Sequence, residues 1–168
     1  MSKSGPGKIR TGVHSGDIQV APVSHLWLAR LVEIDASWNP KSWSERLFIQ
    51  ELSNPAARVR GVFVSGTLVG YSIAHVVMDE AHLVSIGVAP EYRGQGLGAA
   101  LIQDLKRIAR VENVRVLTLQ VRVSNQVAQR LYRKFGFQVA GVRKGYYSDN
   151  REDAITMRCD QGGESHHQ

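Results

Sequence analysis

The alternation of hydrophobic and polar residues predicts a chain that switches repeatedly between strands and helices. Runs with a period of two predict strands, and runs with a period near 3.6 predict helices. In chain order the patterns predict strand Asp17–Val23, helix His25–Ala36, a loop with Trp38, Pro40 and Trp43, a second helix ending at Leu52, strands Arg58–Ser65, Leu68–Met78 and Ala81–Val88, a third helix, strand Val114–Val121, a fourth helix ending at Lys134, and a hairpin of Val139–Tyr147 with Ala154–Cys159. The order β-α-α-β-β-β-α-β-α-β-β predicts a fold of the α/β class. Its sheet is expected to be mixed, of the α+β type, and flanked by helices.

The third helix has the clearest periodicity, because its apolar and small residues recur at i, i+3, i+4 and i+7 and predict one buried face. They are Gly98, Leu101, Ile102, Leu105, Ile108 and Ala109. Two helix starts carry cap signals. Ser42 and Glu45 have the spacing of a capping box and predict the start of the second helix, and Ser124 is expected to cap the fourth.

Composition predicts one domain. The chain has 168 residues, 43% of them hydrophobic, which suffices for a core over residues 17–160. Residues 1–16, basic and rich in Gly and Ser, are expected to form a disordered tail, as are residues 161–168. No apolar run approaches the ~18 residues of a membrane span, and no secretory signal is present, so a cytoplasmic location is expected. The single cysteine, Cys159, excludes an internal disulfide and a cysteine metal cluster, and we expect a structural thiol and no metal site.

The most informative pattern is a glycine-rich turn between the strand that ends at Val88 and the third helix. It reads Arg93-Gly94-Gln95-Gly96-Leu97-Gly98. Glycines at a helix start leave backbone N–H groups uncovered at the positive end of the helix dipole, where proteins hold a pyrophosphate. A tight turn without a ligand is the alternative interpretation.

Two other glycine motifs fit this turn less well. Gly94, Gly96 and Ala99 satisfy the dinucleotide pattern G-x-G-x-x-G/A. That pattern requires an acidic residue about 20 positions later, where this chain has Thr118 and Gln120. A P-loop requires a Lys followed by Ser or Thr, and the turn has neither.

The net charge of +6, from 21 basic and 15 acidic residues, favours a polyanionic partner. Coenzyme A, with its pyrophosphate and 3′-phosphate, is one candidate and ribosomal RNA is another. No basic run interleaved with aromatics and no helix-turn-helix pattern is present, so a direct nucleic-acid role is not expected. A solvated basic surface without a partner is the remaining interpretation.

A second constellation lies on the fourth helix. Asn125, Ala128, Gln129 and Tyr132 share one face, at offsets of three, four and seven, while Leu131 and Phe135 lie on the neighbouring, core-facing side. An amide and a phenol are therefore expected to point together into a cleft beside this helix. The alternative is a capped helix with a half-buried tyrosine.

Together these segments resemble the GCN5-related N-acetyltransferase (GNAT) family, over about residues 18–158. Arg93, Gly96 and Gly98 match its acyl-CoA signature, and the run from Asn125 to Phe137 matches its Asn-x-x-Ala-x-x-x-Tyr-x-x-x-Gly-Phe arrangement. The resemblance implies the GNAT acyl-CoA N-acyltransferase fold and acetyl-CoA as acetyl donor. It implies that the donor is bound by Ile86, Gly87, Val88, Arg93, Gly94, Gln95, Gly96, Leu97, Gly98, Ala99 and Asn125.

A third segment narrows the class within the family. Tyr146-Tyr147 followed by residues 152–157 resembles the C-terminal hairpin of protein Nα-acetyltransferases, particularly the bacterial ribosomal-protein group. The resemblance implies that Tyr146 and Tyr147 hold the substrate backbone and that the segment from Trp38 forms the other wall of the slot. The implied partner is a protein N-terminus, with ribosomal protein S18 as the first candidate. Two aromatics packed on an edge hairpin are the alternative.

The resemblance also implies direct transfer from acetyl-CoA to the amine. Backbone N–H groups at residues 86–88 are expected to stabilise the oxyanion, and Tyr132 to protonate the leaving sulfur. Related enzymes carry Glu at the position of Gln120, and an amide accepts no proton at neutral pH, so Gln120 is expected only to position a water or the amine. His82 is the expected base, ahead of His75 and Glu33.

Two rival functions stay open on the sequence. One is an acetyltransferase for a small amine, and the other is a catalytically silent acetyl-CoA-binding regulatory module, which Gln120 favours. An RNA-binding module is a third possibility that no motif requires. We expect no membrane association, and a monomer or weak dimer.

Overall fold

Within residues 17–162, which the computed structural model describes, seven strands form one mixed sheet in the order β1-β2-β3-β4-β5-β7-β6. The tail predicted at residues 1–16 lies outside the described residues, as does the tail predicted at residues 161–168 except for its first two residues. The N–H of Gln161 donates to the carbonyl of Arg115 at 2.7 Å. The strands are β1 (Ile18–Pro22), β2 (Ala57–Val64), β3 (Thr67–Val77), β4 (Glu80–Val88), β5 (Val116–Arg122), β6 (Gln138–Arg143) and β7 (Ala154–Asp160). The helices are α1 (Leu28–Ala36), α2 (Glu45–Leu52), α3 (Leu97–Val111) and α4 (Gln126–Lys134), with short 3-10 turns at His25–Trp27 and Pro90–Tyr92. The predicted fold class and element order are confirmed.

The sheet is antiparallel except at its centre, where β4 and β5 run parallel and α3 makes the crossover between them. One apolar cluster joins α3 and α4 to β4, β5 and β7, and includes Leu105, Leu119 and Phe137. A second cluster joins α1 and α2 to strands β2, β3 and β4 of the sheet, and includes Leu31 and Phe48. The sheet is therefore packed between two pairs of helices.

The parallel strands β4 and β5 separate part of the way along their length. They pair only from Glu80 to Leu83 on β4 and from Val116 to Leu119 on β5. In the pairing of β3 with β4 the register shifts across Val84, which is the extra residue of a β-bulge. Because a bulge bends its strand, the ends of β4 and β5 splay apart and open a cleft in the sheet.

Tertiary hydrogen bonds overturn both predicted helix caps. Ser44, not Ser42, caps α2, and its hydroxyl accepts from Leu47 N at 3.2 Å. The N–H of Trp43 donates instead to the carboxylate of Asp35 at 2.6 Å, which holds that residue outside the helix.

Asn125, not Ser124, caps α4, and its Oδ1 accepts from Ala128 N at 3.1 Å. The N–H of Ser124 donates to Glu152 at 2.8 Å and is held outside the helix.

The predicted strand over Val139–Tyr147 ends earlier, at Arg143. Gly145 has a positive φ of 58° and its N–H donates to Asp153 at 2.8 Å, so the chain turns out of the sheet there. Tyr146 and Tyr147 therefore belong to the connection between β6 and β7, not to the strand.

Candidate active site

The cleft between the separated ends of β4 and β5 has a volume of about 1140 Å³. Its walls come from four parts of the chain: the loop between α1 and α2, the end of β4 with the glycine turn, the end of β5 with α4, and the β6–β7 connection. The predicted site residues that line it are Trp38, Ile86, Gly87, Val88, Arg93, Gly98, Gln120, Asn125, Tyr132, Tyr146 and Tyr147. The topology thus assembles residues from distant parts of the sequence.

The glycine turn has the geometry of an anion-binding loop. Gly94 and Gly96 have φ of 76° and 83°, a conformation that side-chain-bearing residues rarely adopt, and a Cβ on either would point into open space. Gly96 is the N-cap of α3, with no side chain capping the helix, so the first-turn N–H groups stay available to a ligand. Gln95 Oε1 is buried and, within the described chain, has no hydrogen-bond donor. The open N–H groups of the turn therefore fit a phosphate-bearing ligand.

Arg93 connects the glycine turn to its surroundings. Its Nε donates to the carbonyl of Val88 at 3.0 Å, and its Nη2 lies 3.5 Å from the hydroxyl of Ser37 at the end of α1. The side chain is exposed beyond these bonds. Arg93 therefore fixes the turn against β4 and places one cation at the edge of the cleft.

The end of β4 presents backbone to the cleft. Ile86, Gly87 and Val88 pair with β3 along one edge, while β5 has already diverged from the other edge. Alternate N–H and C=O groups of an antiparallel-paired strand point to its free edge. A Cβ built on Gly87 would overlap the indole of Trp38, so the absence of a side chain lets that indole lie directly on β4. The oxyanion-stabilising N–H groups expected here thus have a free edge from which to act.

Tyr132 lies on the α4 side of the cleft, with its ring packed edge-on against Phe137 at a centroid distance of 5.9 Å. Burial raises the pKa of Tyr132 well above its usual value, and the nearby Tyr147 adds to the effect. The phenol therefore stays protonated at neutral pH. Among the described residues its hydroxyl has no hydrogen-bond partner, so it is able to donate to a ligand.

Gln120 and His82, the two residues expected to act on the substrate amine, lie on one face of the sheet. Gln120 is half-buried, and its Nε2 lies 3.4 Å from the hydroxyl of Thr156 on β7. His82 does not line the cleft. Its Nδ1 pairs at 2.8 Å with the hydroxyl of Thr118, which is two residues before Gln120 and so on the same face of β5. Burial lowers the pKa of His82, and the positive fields of His75 and Arg143 add to the effect, so the imidazole is neutral at pH 7.

The two weaker candidates for a base are engaged elsewhere. His75 Nε2 pairs with Glu51 at 2.7 Å, and Glu33 pairs with Arg30 at 2.9 Å on the surface. Neither lines the cleft. The structure gives no support to either as a base.

The two predicted walls of a peptide slot face the same cleft. Tyr146 and Tyr147 form an edge-on pair with centroids 5.0 Å apart, and Trp38 lies on the other side in the α1–α2 loop. Lys41 Nζ donates to Ser148 Oγ at 2.8 Å and joins the α1–α2 loop to the β6–β7 connection.

A buried polar chain that sequence reasoning missed anchors the α1–α2 loop. Asp35 is fully buried and accepts from Tyr71 Oη at 2.6 Å as well as from Trp43 N. Tyr71 Oη also lies 2.8 Å from the hydroxyl of Ser85, which lines the cleft. Asp35 falls on the apolar stripe of α1 with Leu31, and a carboxylate at such a position must find donors, which was the available signal.

The mixed sheet with splayed central parallel strands, an anion-binding turn at one end of the cleft and a protonated tyrosine beside it define the class of acyl-CoA N-acyltransferases. The sequence model of the acetyltransferase (GNAT) family matches residues 28–137. The chain belongs to this family, and it is an acetyl-CoA-dependent N-acetyltransferase, as predicted.

Two related proteins and one crystal structure are similar to the chain over most of its length. It is 44% identical over 126 residues to a putative ribosomal protein bS18-alanine N-acetyltransferase of Bacillus subtilis, covering 74% of this chain and 83% of that protein. It is 41% identical over 119 residues to the ribosomal protein bS18-alanine N-acetyltransferase of Escherichia coli K12, covering 68% and 78%. The crystal structure of the S18-alanine N-acetyltransferase from E. coli superposes with a TM-score of 0.79 at 33% identity, covering 85% of this chain and 93% of that one.

None of the helices within residues 17–162 has the length and apolar character that a membrane span requires.

Proposed function

We propose that this protein acetylates the N-terminal α-amine of a protein, with the N-terminal alanine of ribosomal protein S18 as the first candidate substrate. The observation that carries the proposal is the lining of the cleft. The Tyr146–Tyr147 pair and Trp38 line the same cleft as the splayed end of β4. The names of the relatives at 41–44% identity support the same substrate class.

The donor half of the site is formed by the glycine turn and α4. Backbone N–H groups of residues 94–99 bind the pyrophosphate of acetyl-CoA. Oδ1 of Asn125 already accepts from Ala128 N, so its Nδ2 is the group that we assign to the pantetheine arm. Asn125 is therefore expected to donate to a carbonyl of the ligand.

The transfer needs one nucleophile and one acid. The neutral amine attacks the thioester carbonyl and forms the new C–N bond, while backbone N–H groups at Ile86 to Val88 stabilise the oxygen that becomes negative. The C–S bond then breaks, and the Tyr132 hydroxyl gives its proton to the departing sulfur. Acetylated amine and free CoA are the products. The nitrogen, which carries an extra proton after the attack, loses it to water, and the tyrosine recovers a proton from water.

Because an α-amine has a pKa near neutrality, the reaction can proceed with Gln120 at the position where related enzymes carry Glu. At pH 7 an α-amine of pKa 7.7–8.0 needs only about 1–1.4 kcal/mol to lose its proton, whereas a lysine amine near 10.4 needs about 4.6 kcal/mol. A site that has Gln120 in place of a glutamate is thus better suited to the α-amines of protein N-termini than to lysine amines. We assign His82, neutral and on the same face of the sheet as Gln120, as the acceptor of the proton through water.

The test is the release of CoA thiol from acetyl-CoA in the presence of two peptides. One carries the S18 N-terminal sequence beginning with a free Ala, and the other is the same peptide blocked at its N-terminus with an internal Lys. Turnover on the first peptide alone supports the proposal. Turnover on a small amine such as a polyamine, and on neither peptide, would replace it with the small-amine function.

A further inference from the structure

The side chain from outside the β6–β7 connection that makes the most bonds to it is that of Arg122, the last residue of β5. Nη2 of Arg122 donates to both carboxylate oxygens of Asp149, each at 3.0 Å, and Nη1 donates to Glu152 and to Asn150, each at 3.2 Å. Its Cζ lies 4.0 Å from the centroid of the Tyr147 ring. One guanidinium thus engages four residues of the connection.

The same network reaches the start of α4. Glu152 uses its second oxygen to accept the N–H of Ser124 at 2.8 Å. Ser124 precedes Asn125, the cap of α4 that we place in the acetyl-CoA site. The Arg122 network therefore joins the tyrosine wall to the part of the cleft that holds the donor.

The side chains of this network are shielded from solvent more than most surface ion pairs. Arg122, Asp149 and Glu152 keep only 23%, 22% and 14% of their side-chain area exposed. Arg122 lowers the pKa of Asp149, and hydrogen bonds from Ser124 together with Arg122 lower that of Glu152 to about 2. Both carboxylates stay ionised throughout the pH range of an activity assay. The two terminal nitrogens of Arg122 reach different carboxylates while its Cζ lies over the Tyr147 ring, an arrangement that suits an arginine but not a lysine.

The connection has few other restraints of its own. It has no helix or strand between Arg143 and Ala154. Its internal backbone bonds join Tyr147 with Glu152 and Arg151 with Tyr147, at 3.1 and 2.7 Å, and these bonds fix its shape but not its distance from β5. The connection is joined to its surroundings by the Arg122 bonds, by Lys41 at Ser148, and by the backbone N–H groups of Val123 and Ser124, which donate to Asp153 O at 3.2 Å and to Glu152. Among these groups, Arg122 is the one that contacts the ring of Tyr147.

We infer that Arg122 is a positioning residue for the protein substrate: it holds the Tyr146–Tyr147 wall at the distance from β5 that admits a peptide backbone. It acts through Tyr147 and the connection, and it does not touch the reacting atoms. The inference rests on the proposed function, because it assigns the tyrosine wall to the peptide. It predicts that Arg122 governs the KM for peptide and leaves acetyl-CoA binding unaffected.

The test compares Arg122→Gln, Arg122→Lys and Asp149→Asn with wild type. Initial rates are measured against peptide at saturating acetyl-CoA, and the acetyl-CoA Kd by calorimetry. We expect Arg122→Gln to raise the peptide KM about tenfold, with kcat and the acetyl-CoA Kd within about twofold, because charged hydrogen bonds of this kind have effects of that size. Arg122→Lys retains most of the defect, since an ammonium cannot bond both Asp149 oxygens and stack on the ring together.

A double-mutant cycle separates positioning from a general structural role. Asp149→Asn is expected to raise the peptide KM about threefold, and the double variant Arg122→Gln/Asp149→Asn to be no worse than Arg122→Gln alone, because both remove one interaction. Arg158→Gln is the matched control. Arg158 lies on β7, is half-exposed and pairs only with Asp160 among the described residues, so its loss should leave both constants unchanged.

An unchanged peptide KM in Arg122→Gln would overturn the inference, and so would an acetyl-CoA Kd that rises as much as the peptide KM. A wild-type enzyme that turns over no peptide but acetylates small amines would instead refute the proposed function. The two failures are therefore told apart by the wild-type assay, and a melting curve with acetyl-CoA present identifies any variant that is merely unfolded.

Discussion

Replacing Gln120 with glutamate tests the acid–base reasoning most directly. The Gln120 side chain lines the cleft, with Nε2 3.4 Å from the hydroxyl of Thr156. A carboxylate of nearly the same size fits there, and the Thr156 hydroxyl is able to donate to it. Gln120→Glu therefore adds a proton acceptor at the amine side while it leaves the rest of the cleft unchanged.

The size of the gain follows from the amine, not from the new carboxylate. At pH 7 an α-amine of pKa 7.7–8.0 is about 9–17% neutral. If only the neutral form of the amine reacts in the wild-type enzyme, a base that deprotonates the bound amine raises kcat/KM at pH 7 by at most about six- to elevenfold. At pH 9, where more than about 90% of the amine is already neutral, the gain falls almost to nothing.

The assay is kcat/KM for the alanine-starting peptide from pH 6.5 to 9, by release of CoA thiol. Gln120→Leu serves as the control, because it removes the amide without adding a base. An advantage of Gln120→Glu that shrinks as the pH rises supports the reasoning. An equal advantage at pH 7 and 9, or none at either, would show that deprotonation of the amine does not limit this enzyme.

Four further substitutions test other parts of the site. Tyr132→Phe is expected to lower kcat about 10²-fold or more with an unchanged acetyl-CoA Kd by calorimetry, as the loss of a general acid requires; full turnover would remove Tyr132 from that role. His82→Ala should lower the rate most below about pH 7.5, where the amine is mostly protonated while the lowered pKa of His82 keeps the imidazole neutral. A pH profile identical to wild type would leave no base at His82. Tyr146→Ala should impair peptide far more than a small amine, and equal losses on both would contradict the tyrosine slot. Tyr71→Phe leaves the buried Asp35 without one donor and is expected to cost about 1–3 kcal/mol in the free energy of unfolding, measured with urea; an unchanged urea midpoint would contradict this.

The order of elements and the donor half of the site were predictable because their signals are local. The glycine turn, the stripe of Leu101 and Leu105 on α3, and the Asn125–Tyr132 spacing all lie within single short segments. A period and a turn type follow directly from neighbouring residues. The structure places these segments as expected, with one exception on α4. Leu131, expected on the core-facing side, lines the cleft, and Gln129 is buried because its Nε2 donates to the carbonyls of Arg122 and Val123.

The helix caps and the splay of the sheet were not predictable, because they depend on partners far along the chain. Ser42 loses the cap of α2 because Asp35 holds Trp43, and Ser124 loses that of α4 because Glu152 holds it from 28 residues away. The bulge at Val84 exists only in the pairing with β3. His82 shows the same limit, since alternation along a strand does not tell how far a residue lies from a cleft formed by two strands.

Asp35 anchors the α1–α2 loop and Arg122 anchors the β6–β7 connection, and neither side chain bonds to the glycine turn. Under the proposed function, the two loops can therefore change in evolution while the turn that holds the pyrophosphate is kept. The start of α4 is the exception, because Glu152 joins the Arg122 network to Ser124. In engineering terms, the glycine turn is a donor platform and the two loops are exchangeable acceptor parts. Grafting both loops together with their anchors, and with the Glu152–Ser124 bond kept, is the route to a new substrate.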